Sequence, residues 1–231
     1  MATVILLRHG RSTANTGGVL AGRSLGVSLD EHGRAQAVAA AERVAGLRLS
    51  GVFSSPMERC QQTAAPILAG RDLELRVEEG LTECDYGSWT GQQIKDLLKE
   101  PLWRTVQQHP SAVTFPDGEA MAALAARAVA TVRRIDAEVE QADGAGAVWV
   151  AVSHGDVIKA VLADALGMHL DLFQRLHIDP ASISVIRYTE HRPFVLASNT
   201  AAGELTWLAA KPPVDEAPAG DAVVGGGAGA A

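Results

Sequence analysis

Short apolar runs alternate along this chain with longer segments of helical periodicity. The runs predict strands at Thr3–Arg8, Gly51–Ser54, Ala147–Ser153, Ile183–Tyr188 and Phe194–Ser198, with a weaker one at Leu73–Val77. Helices are predicted at Leu29–Leu47, Gly118–Ala142 and Val157–Leu166; in the second, apolar residues recur every three or four positions and form one stripe. Strands that alternate with helices favour a three-layer α/β/α fold with a mostly parallel central sheet.

Three further segments complete the organisation of the chain. A helix start is predicted at Ser55-Pro56-Met57-Glu58, with Ser55 as the N-cap, Pro56 in the first turn and Glu58 at the capping-box position. The stretch 86–117 is less regular and predicts a helical lid or insertion over one edge of the sheet. Residues 212–231 include fourteen Gly, Ala or Pro and carry acidic residues without a basic partner. This tail is predicted to be disordered, which leaves 1–211 as the folded domain.

The composition of the 231 residues narrows the class of protein. Apolar residues make up 47% and charged residues 20%. This composition is sufficient for a buried core and argues against a chain that is disordered throughout. A net charge of −7 without a basic block disfavours a nucleic-acid-binding surface. No apolar run approaches the roughly 18 residues of a membrane span, and the N-terminus lacks the basic segment of a secretory signal. Two cysteines without CxxC spacing argue against a disulfide scaffold. We therefore expect a cytoplasmic protein with no nucleic-acid or membrane partner.

Polar and charged residues directly follow three of the predicted strands. Arg8-His9-Gly10 ends the first strand, Ser54-Ser55-Pro56 ends the second with Arg59 shortly after it, and Ser153-His154-Gly155 ends the fourth. Because ligands bind beyond the carboxyl ends of parallel strands, two histidines and two arginines are expected on one rim of the sheet. A glycine beside each histidine removes a Cβ that would keep the backbone amide away from an anion.

These side chains fit the transfer of a phosphoryl group. Arginine presents a planar fork of donors to phosphate oxygens, and a neutral imidazole can attack phosphorus and carry the group covalently. Taken singly, each residue also has an ordinary structural role: His9 as a hydrogen-bonded strand-end histidine, Arg8 and Arg59 as solvated charges, and His154-Gly155 as a strand-to-helix turn. A His/His/Glu metal site is conceivable as well, but neither HExxH nor a clustered His/Asp spacing is present.

Four segments together resemble the signatures of the histidine phosphatase superfamily, the phosphoglycerate-mutase-like proteins. They are similar to RHG-x-[TS]-x-x-N (8–15), SSP-x-x-R-x-x-QTA (54–64), L-x-E-x-x-x-G-x-W-x-G (81–91) and SHG (153–155). RHG alone is a weak tripeptide, whereas four segments in family order, spread over 3 to about 208, are a specific signal. The resemblance implies the phosphoglycerate-mutase-like form of the α/β/α fold.

The resemblance also implies a role for each matching residue. His9 would be the phosphorylated nucleophile, and Glu83 would protonate the leaving oxygen and then activate water. The phosphoryl oxygens would be held by Arg8, Arg59, His154, Asn15 and the amide of Gly155. No metal or cofactor would be needed, because two arginines and one histidine supply the positive charge. The pKa of a partly buried Glu83 near a dianion would be raised, and His154 would be cationic when phosphate is bound.

Other positions are candidates for substrate specificity: Arg11, Ser12, Gly22 and Arg23. Arg11 stands where many relatives carry Glu or Gln, so it either favours an acidic substrate or is a solvated side chain. Leu25-Gly26-Val27 replaces the usual D-x-P, and Asp156 replaces a common second glycine after His154. The variable segments 20–27 and 86–117 are expected to select the substrate, a small phosphorylated metabolite.

The resemblance leaves more than one activity open. Mutases of the family carry a longer basic insertion after the catalytic glutamate, with an RRS-type stretch; here 86–116 has only Lys95, Lys99 and Arg104 as cations. The segment 115–119 is similar to the P-x-G-E opening of short phosphatase-like members. We therefore expect a metal-independent phosphomonoester hydrolase, with a cofactor-dependent phosphoglycerate mutase as the alternative. A non-catalytic module that binds phosphorylated ligands is the remote alternative, and a homodimer is the default assembly.

Overall fold

The computed structural model describes residues 2–203 and 205, in which helices cover both faces of a six-stranded sheet. The strands are β1 (Thr3–Arg8), β2 (Gly51–Ser54), β3 (Leu75–Val77), β4 (Val148–Ser153), β5 (Ile183–Arg187) and β6 (Phe194–Thr200). The helices are α1 (Thr13–Gly17), α2 (Glu31–Arg43), α3 (Glu58–Leu68), α4 (Ile94–Leu97), α5 (Pro101–Gln108), α6 (Met121–Asp143) and α7 (Gly155–Ala165). The tail predicted at 212–231 lies outside the described residues.

The strands are ordered β3-β2-β4-β1-β5-β6. β1, β2, β3 and β4 pair in parallel, whereas β5 runs antiparallel to both of its neighbours. The carboxyl ends of three strands coincide, because Arg8 pairs with Ser153 and Ser54 pairs with Val152. The predicted mostly parallel sheet is confirmed, and its topology places the three polar strand ends on one edge.

Two apolar clusters fill the space between the sheet and the helices. Leu6 and Trp149 belong to the cluster under α6 and α7, and Ile5 and Leu7 belong to the cluster under α2 and α3. Neighbouring residues of β1 therefore face opposite layers, as the two-residue period of a strand requires. This arrangement confirms the predicted three layers.

The starts of α3 and α6 differ from the prediction for identifiable reasons. Helix α3 begins at Glu58 with Met57 as its N-cap, and the Ser55 side chain does not cap it. The Ser55 hydroxyl oxygen accepts from the amide of Met57 at 3.3 Å and also bonds to His154 Nε2 at 2.7 Å. Ser55 therefore lies outside the helix and links its start to a histidine 99 residues away. Helix α6 begins at Met121 because the preceding segment turns back at Asp117, whose φ is 57°.

The segment 86–117 folds as two short helices, α4 and α5, flanked by 3-10 turns at Gly87–Trp89 and Pro110–Ala112. Its aromatic side chains pack together, with the rings of Trp89 and Phe115 5.5 Å apart. Its backbone is tied to the first loop of the chain, since the amide of Leu20 donates to Gln92 O and Gly91 N donates to Leu20 O. No helix among the described residues is both long enough and apolar enough to cross a membrane.

Candidate active site

Residues from four separate segments of the chain meet at the carboxyl edge of the sheet. Arg8 is the last residue of β1 and His9 follows it; Arg59 lies in the first turn of α3, and His154 is the N-cap of α7. Glu83 lies on the loop after β3, which Ser153 Oγ anchors by donating to Leu81 O at 2.7 Å. The sheet topology and this anchor bring together side chains that are up to 146 positions apart in sequence.

His9 is held as a neutral base with one ring nitrogen that carries no proton. Its Nδ1–H donates to Gly10 O at 2.7 Å, so the lone pair of the neutral ring is on Nε2. Arg59 Nε donates to that Nε2 at 3.4 Å. Burial, together with the charges of Arg59 and Arg8, holds the pKa of His9 well below its usual range. The ring is therefore unprotonated and nucleophilic at neutral pH.

His154 lies opposite His9, with the ring centroids 5.3 Å apart. Arg59 Nη2 donates to its Nδ1 at 3.2 Å, so in the neutral ring Nε2 carries the proton and donates to Ser55 Oγ. Burial first, and the neighbouring Arg59 second, lower the pKa of His154 well below the ordinary histidine value. The predicted cationic form belongs to the phosphate-bound state, and in the unliganded site the ring is neutral.

The two arginines each present a buried donor without an acceptor. Arg8 Nη1 donates to Ile178 O and Arg59 Nη2 to Gly22 O, which fixes both guanidinium groups. Arg8 Nε and Arg59 Nη1 are buried and have no hydrogen-bond partner among the described residues. A buried donor left unsatisfied costs about 1–3 kcal/mol, so two of them beside the histidines indicate an anion site.

Glu83 is buried beside the two histidines. Its Oε1 accepts from the amide of Cys84 at 2.9 Å, and its Oε2 lies 3.8 Å from His154 Nδ1. Burial first, and the charge of Asp156 second, raise the pKa of Glu83 to about 7. A carboxyl group with this pKa can give up and recover a proton near neutrality.

The two glycines next to the histidines, Gly10 and Gly155, differ in their surroundings. For Gly10, the prediction that the glycine lets a backbone amide approach an anion was wrong. A Cβ on Gly10 would lie 2.5 Å from Gly33 O, and the Gly10 amide donates to Thr63 Oγ1. Gly10 therefore permits close packing against α2 and does not present its amide to an anion. Gly155 is the first residue of α7, where backbone N–H groups have no acceptor within the helix.

The remaining predicted site residues occupy structural positions around this centre. Ser12 caps α1 and is paired with Asn15, whose Oδ1 accepts from the Ser12 amide and whose side chain is exposed. Arg11 forms an ion pair with Asp30 at 2.6 Å. Arg23 donates to Glu83 O at 2.9 Å, and Gly22 O is the acceptor for Arg59. Their effects on substrate choice remain predictions.

Sequence reasoning missed several neighbours of Glu83. Tyr86 donates its hydroxyl to Asp156 Oδ2 at 2.9 Å, and Arg127 on α6 donates to Glu83 O at 3.1 Å. Asp156 had a visible signal, since it departs from the family pattern, whereas Arg127 lies in an ordinary helical repeat. Over the described part of the chain, no group of three or more His, Cys, Asp or Glu residues could hold a metal ion.

Comparisons with known proteins identify the family to which this chain belongs. Residues 4–201 match the family model of the histidine phosphatase superfamily (branch 1). The chain is 32% identical to phosphoserine phosphatase 1 of Hydrogenobacter thermophilus over 202 residues, which cover 86% of this chain and 92% of that protein. It is 30% identical to "Probable phosphoglycerate mutase GpmB" of Yersinia pestis, covering 82% and 86%. A mycobacterial glucosyl-3-phosphoglycerate phosphatase in complex with VO3 superimposes with a TM-score of 0.77 at 27% identity, covering 85% and 98%. The chain belongs to the histidine phosphatase superfamily.

Proposed function

We propose that this chain, a phosphomonoester hydrolase of the histidine phosphatase type, acts on a small phosphorylated metabolite through a phosphohistidine on His9. The observation that carries the proposal is the pair of buried donors that have no partner among the described residues, Arg8 Nε and Arg59 Nη1, beside the unprotonated Nε2 of His9. A phosphate monoester brings negative oxygens for those donors and a phosphorus atom for the imidazole.

In the first step, His9 Nε2 forms a bond to phosphorus while the bond between phosphorus and the ester oxygen breaks. The protonated carboxyl group of Glu83 gives its proton to the departing oxygen, which leaves as an alcohol. The guanidinium groups of Arg8 and Arg59 hold the phosphoryl oxygens. His154 takes up a proton as the dianion binds, because the anion offsets the effects that lower its pKa in the empty site.

In the second step, a water molecule attacks phosphorus and the bond to His9 breaks. The Glu83 carboxylate accepts a proton from that water, which restores its acid form, and phosphate leaves. The guanidinium groups and His154 supply the positive charge in both steps, so the proposed mechanism is metal-independent. We include the Gly155 amide and Asn15 Nδ2 as further donors to the phosphoryl oxygens.

The cations of the insertion 86–117 favour water, rather than a second phosphorylated molecule, as the acceptor of the phosphoryl group. The three cations, Lys95, Lys99 and Arg104, are all exposed. Lys99 pairs with Asp96 at 2.8 Å, and Arg104 donates to Gln108 at 3.1 Å. A mutase needs cations that hold a phosphorylated intermediate in place, so we rank the phosphoglycerate mutase activity second. Phosphoserine and phosphoglycerate esters are the first substrates to test, since similar proteins are named for them.

The proposal is tested by trapping the intermediate. Wild type, His9→Ala and the exposed-surface control His32→Ala are mixed with phosphorus-labelled substrate and quenched. We expect an acid-labile, base-stable phosphoprotein and p-nitrophenyl phosphate turnover in wild type and His32→Ala, and neither in His9→Ala. Turnover that survives His9→Ala contradicts the covalent step. Efficient formation of 2-phosphoglycerate from 3-phosphoglycerate with trace 2,3-bisphosphoglycerate identifies a mutase instead.

A further inference from the structure

A group of charged residues contacts the main chain of the loop that carries Glu83. Arg127 on α6 donates to three carbonyl oxygens of the loop that carries Glu83: Gly80 at 3.0 Å, Thr82 at 2.7 Å and Glu83 itself at 3.1 Å. A guanidinium group that binds successive main-chain carbonyls fixes the path of the loop.

Glu119 holds this arginine in place. Its two oxygens accept from Arg127 Nε at 2.7 Å and from Arg127 Nη2 at 3.0 Å, a bidentate pair that is largely shielded from solvent. The same carboxylate accepts from Arg23 Nη2 at 3.1 Å and from the amide of Asp85 at 3.3 Å. Arg23 in turn donates Nε to Glu83 O at 2.9 Å. The carbonyl of Glu83 thus receives two guanidinium N–H groups that one carboxylate orients.

The peptide group after Glu83 connects these contacts to the carboxyl group of that residue. Its oxygen is bound by the two arginines, and its N–H, which belongs to Cys84, donates to Glu83 Oε1 at 2.9 Å. Because a peptide group is planar, fixing the oxygen also fixes the direction of the N–H. Oε1 is held at that N–H, and Oε2 lies 3.8 Å from His154 Nδ1 on the side of the phosphoryl site.

We propose that Glu119 and Arg127 are positioning residues that hold the Glu83 carboxyl group, through its own peptide, at the leaving oxygen of the substrate. Neither residue contacts the reacting atoms. The proposal rests on the proposed function, in which Glu83 donates the proton. It also gives a physical reason for the P-x-G-E segment, whose glutamate is Glu119.

The test compares a poor leaving group with a good one. For Arg127→Lys and Glu119→Gln, we expect kcat/KM for phenyl phosphate to fall about tenfold or more, because general acid catalysis contributes about 10²–10⁴-fold. For p-nitrophenyl phosphate, whose nitrophenolate needs little protonation, kcat/KM should fall about twofold or less. This ratio covers the steps up to the phosphorylation of His9, so the later role of Glu83 in activating water, which both substrates share, does not enter the comparison. The inhibition constant of inorganic phosphate should change by less than about twofold, since the phosphoryl donors are untouched.

The same substitutions in a Glu83→Gln background provide a double-mutant cycle. With the proton donor already absent, Arg127→Lys should cause no further selective loss for phenyl phosphate, because it acts through Glu83 alone. Thermal unfolding of every variant measures the purely structural cost. If Arg127→Lys does not fold, Glu119→Gln carries the cycle, because it keeps the arginine and the volume of the side chain.

Arg71 is the matched control. It also donates to main-chain carbonyls, Leu47 O and Val44 O at 2.7 Å, but on a loop remote from Glu83. Arg71→Lys should lower thermal stability without changing the ratio of the two substrates. Equal losses of kcat/KM for both substrates in Arg127→Lys, or a further selective loss in the Glu83→Gln background, overturn the positioning role. Absence of phosphohistidine in the wild type is a different result, since it rejects the proposed function itself.

Discussion

Burial gives two groups at the reacting centre the protonation states that the proposed chemistry needs. Removing an imidazole from water disfavours its cation, and the charges of Arg59 and Arg8 act in the same direction on His9. Removing a carboxyl group from water disfavours its anion, so the same burial raises the pKa of Glu83 to about 7, with Asp156 adding to the effect. One desolvated site therefore holds an unprotonated base together with a carboxyl group that keeps its proton up to about pH 7.

The pH dependence of kcat/KM for phenyl phosphate should show both groups. Activity should persist below pH 6.5 because the pKa of His9 is lowered, and it should decline above about pH 7 as Glu83 loses its proton. Asp156→Asn removes a charge that raises the pKa of Glu83, so the upper limb should move to lower pH. Glu83→Gln should lower kcat/KM and remove its decline above about pH 7. The ionisation of the substrate is common to all variants, so an upper limb that is identical in Glu83→Gln would assign it to another group.

At the scale of elements, the site depends on how closely α2 approaches the end of β1. The carbonyl of Gly33, in the first turn of α2, lies where a Cβ on Gly10 would be, and a Cβ on Gly33 would meet Arg11 O. Paired glycines therefore let the helix backbone and the strand end touch. This contact supports the main chain directly after His9.

Gly10→Ala should destabilise the fold by about 1–3 kcal/mol, because the new methyl group meets backbone 2.5 Å away and neither segment can yield easily. Gly17→Ala is the control, since its Cβ would have only an ordinary contact, at 3.6 Å from the Val19 side chain. Urea unfolding of both variants measures the difference. Equal stabilities for Gly10→Ala and Gly17→Ala would mean that α2 moves without cost.

At the scale of the whole molecule, the site carries the positive charges of two arginines although the net charge of the chain is negative. The net charge is −7, yet the site contains the buried guanidinium group of Arg59, the partly buried one of Arg8, two neutral histidines and a glutamate whose pKa is raised to about 7. Arg8 Nε and Arg59 Nη1 have no hydrogen-bond partner among the described residues. An anion that binds only the folded chain therefore stabilises it in proportion to RT ln(1 + [L]/Kd).

Inorganic phosphate or vanadate at about 100 times its Kd should stabilise the protein by about 2.7 kcal/mol. For a chain of this size, that corresponds to a rise in Tm of roughly 5–10 °C. Arg59→Met should abolish the rise, because it removes the donor at the centre of the site. Arg71→Met should lower the starting Tm but retain the rise, and differential scanning fluorimetry measures both. An undiminished rise in Arg59→Met would place the anion elsewhere.

Local pattern was sufficient for most of the fold. The strands appeared as short apolar runs within one or two residues of their observed limits, because a strand buried on both faces needs an uninterrupted apolar sequence. The positions of His9 and His154 directly after strands, and of Arg59 in the first turn of a helix, also followed from sequence, since each lies within a short motif.

Contacts between segments that are remote in sequence could be seen only in the tertiary structure. Ser55 has the local sequence of a helix cap, but its hydroxyl links the amide of Met57 to a histidine 99 residues away. Gly10 has the sequence of an anion loop, but the backbone of α2 leaves no room for a Cβ at this position. Arg127 has no motif at all, and only the packing of α6 against the loop 80–83 shows its contacts with Glu83. The sequence by itself predicted the layers, the strand ends and the candidate reacting groups, because these follow from each residue's near neighbours along the chain. The orientation and proton affinity of those groups came from the folded structure, because burial and long-range hydrogen bonds exist only after the segments have packed.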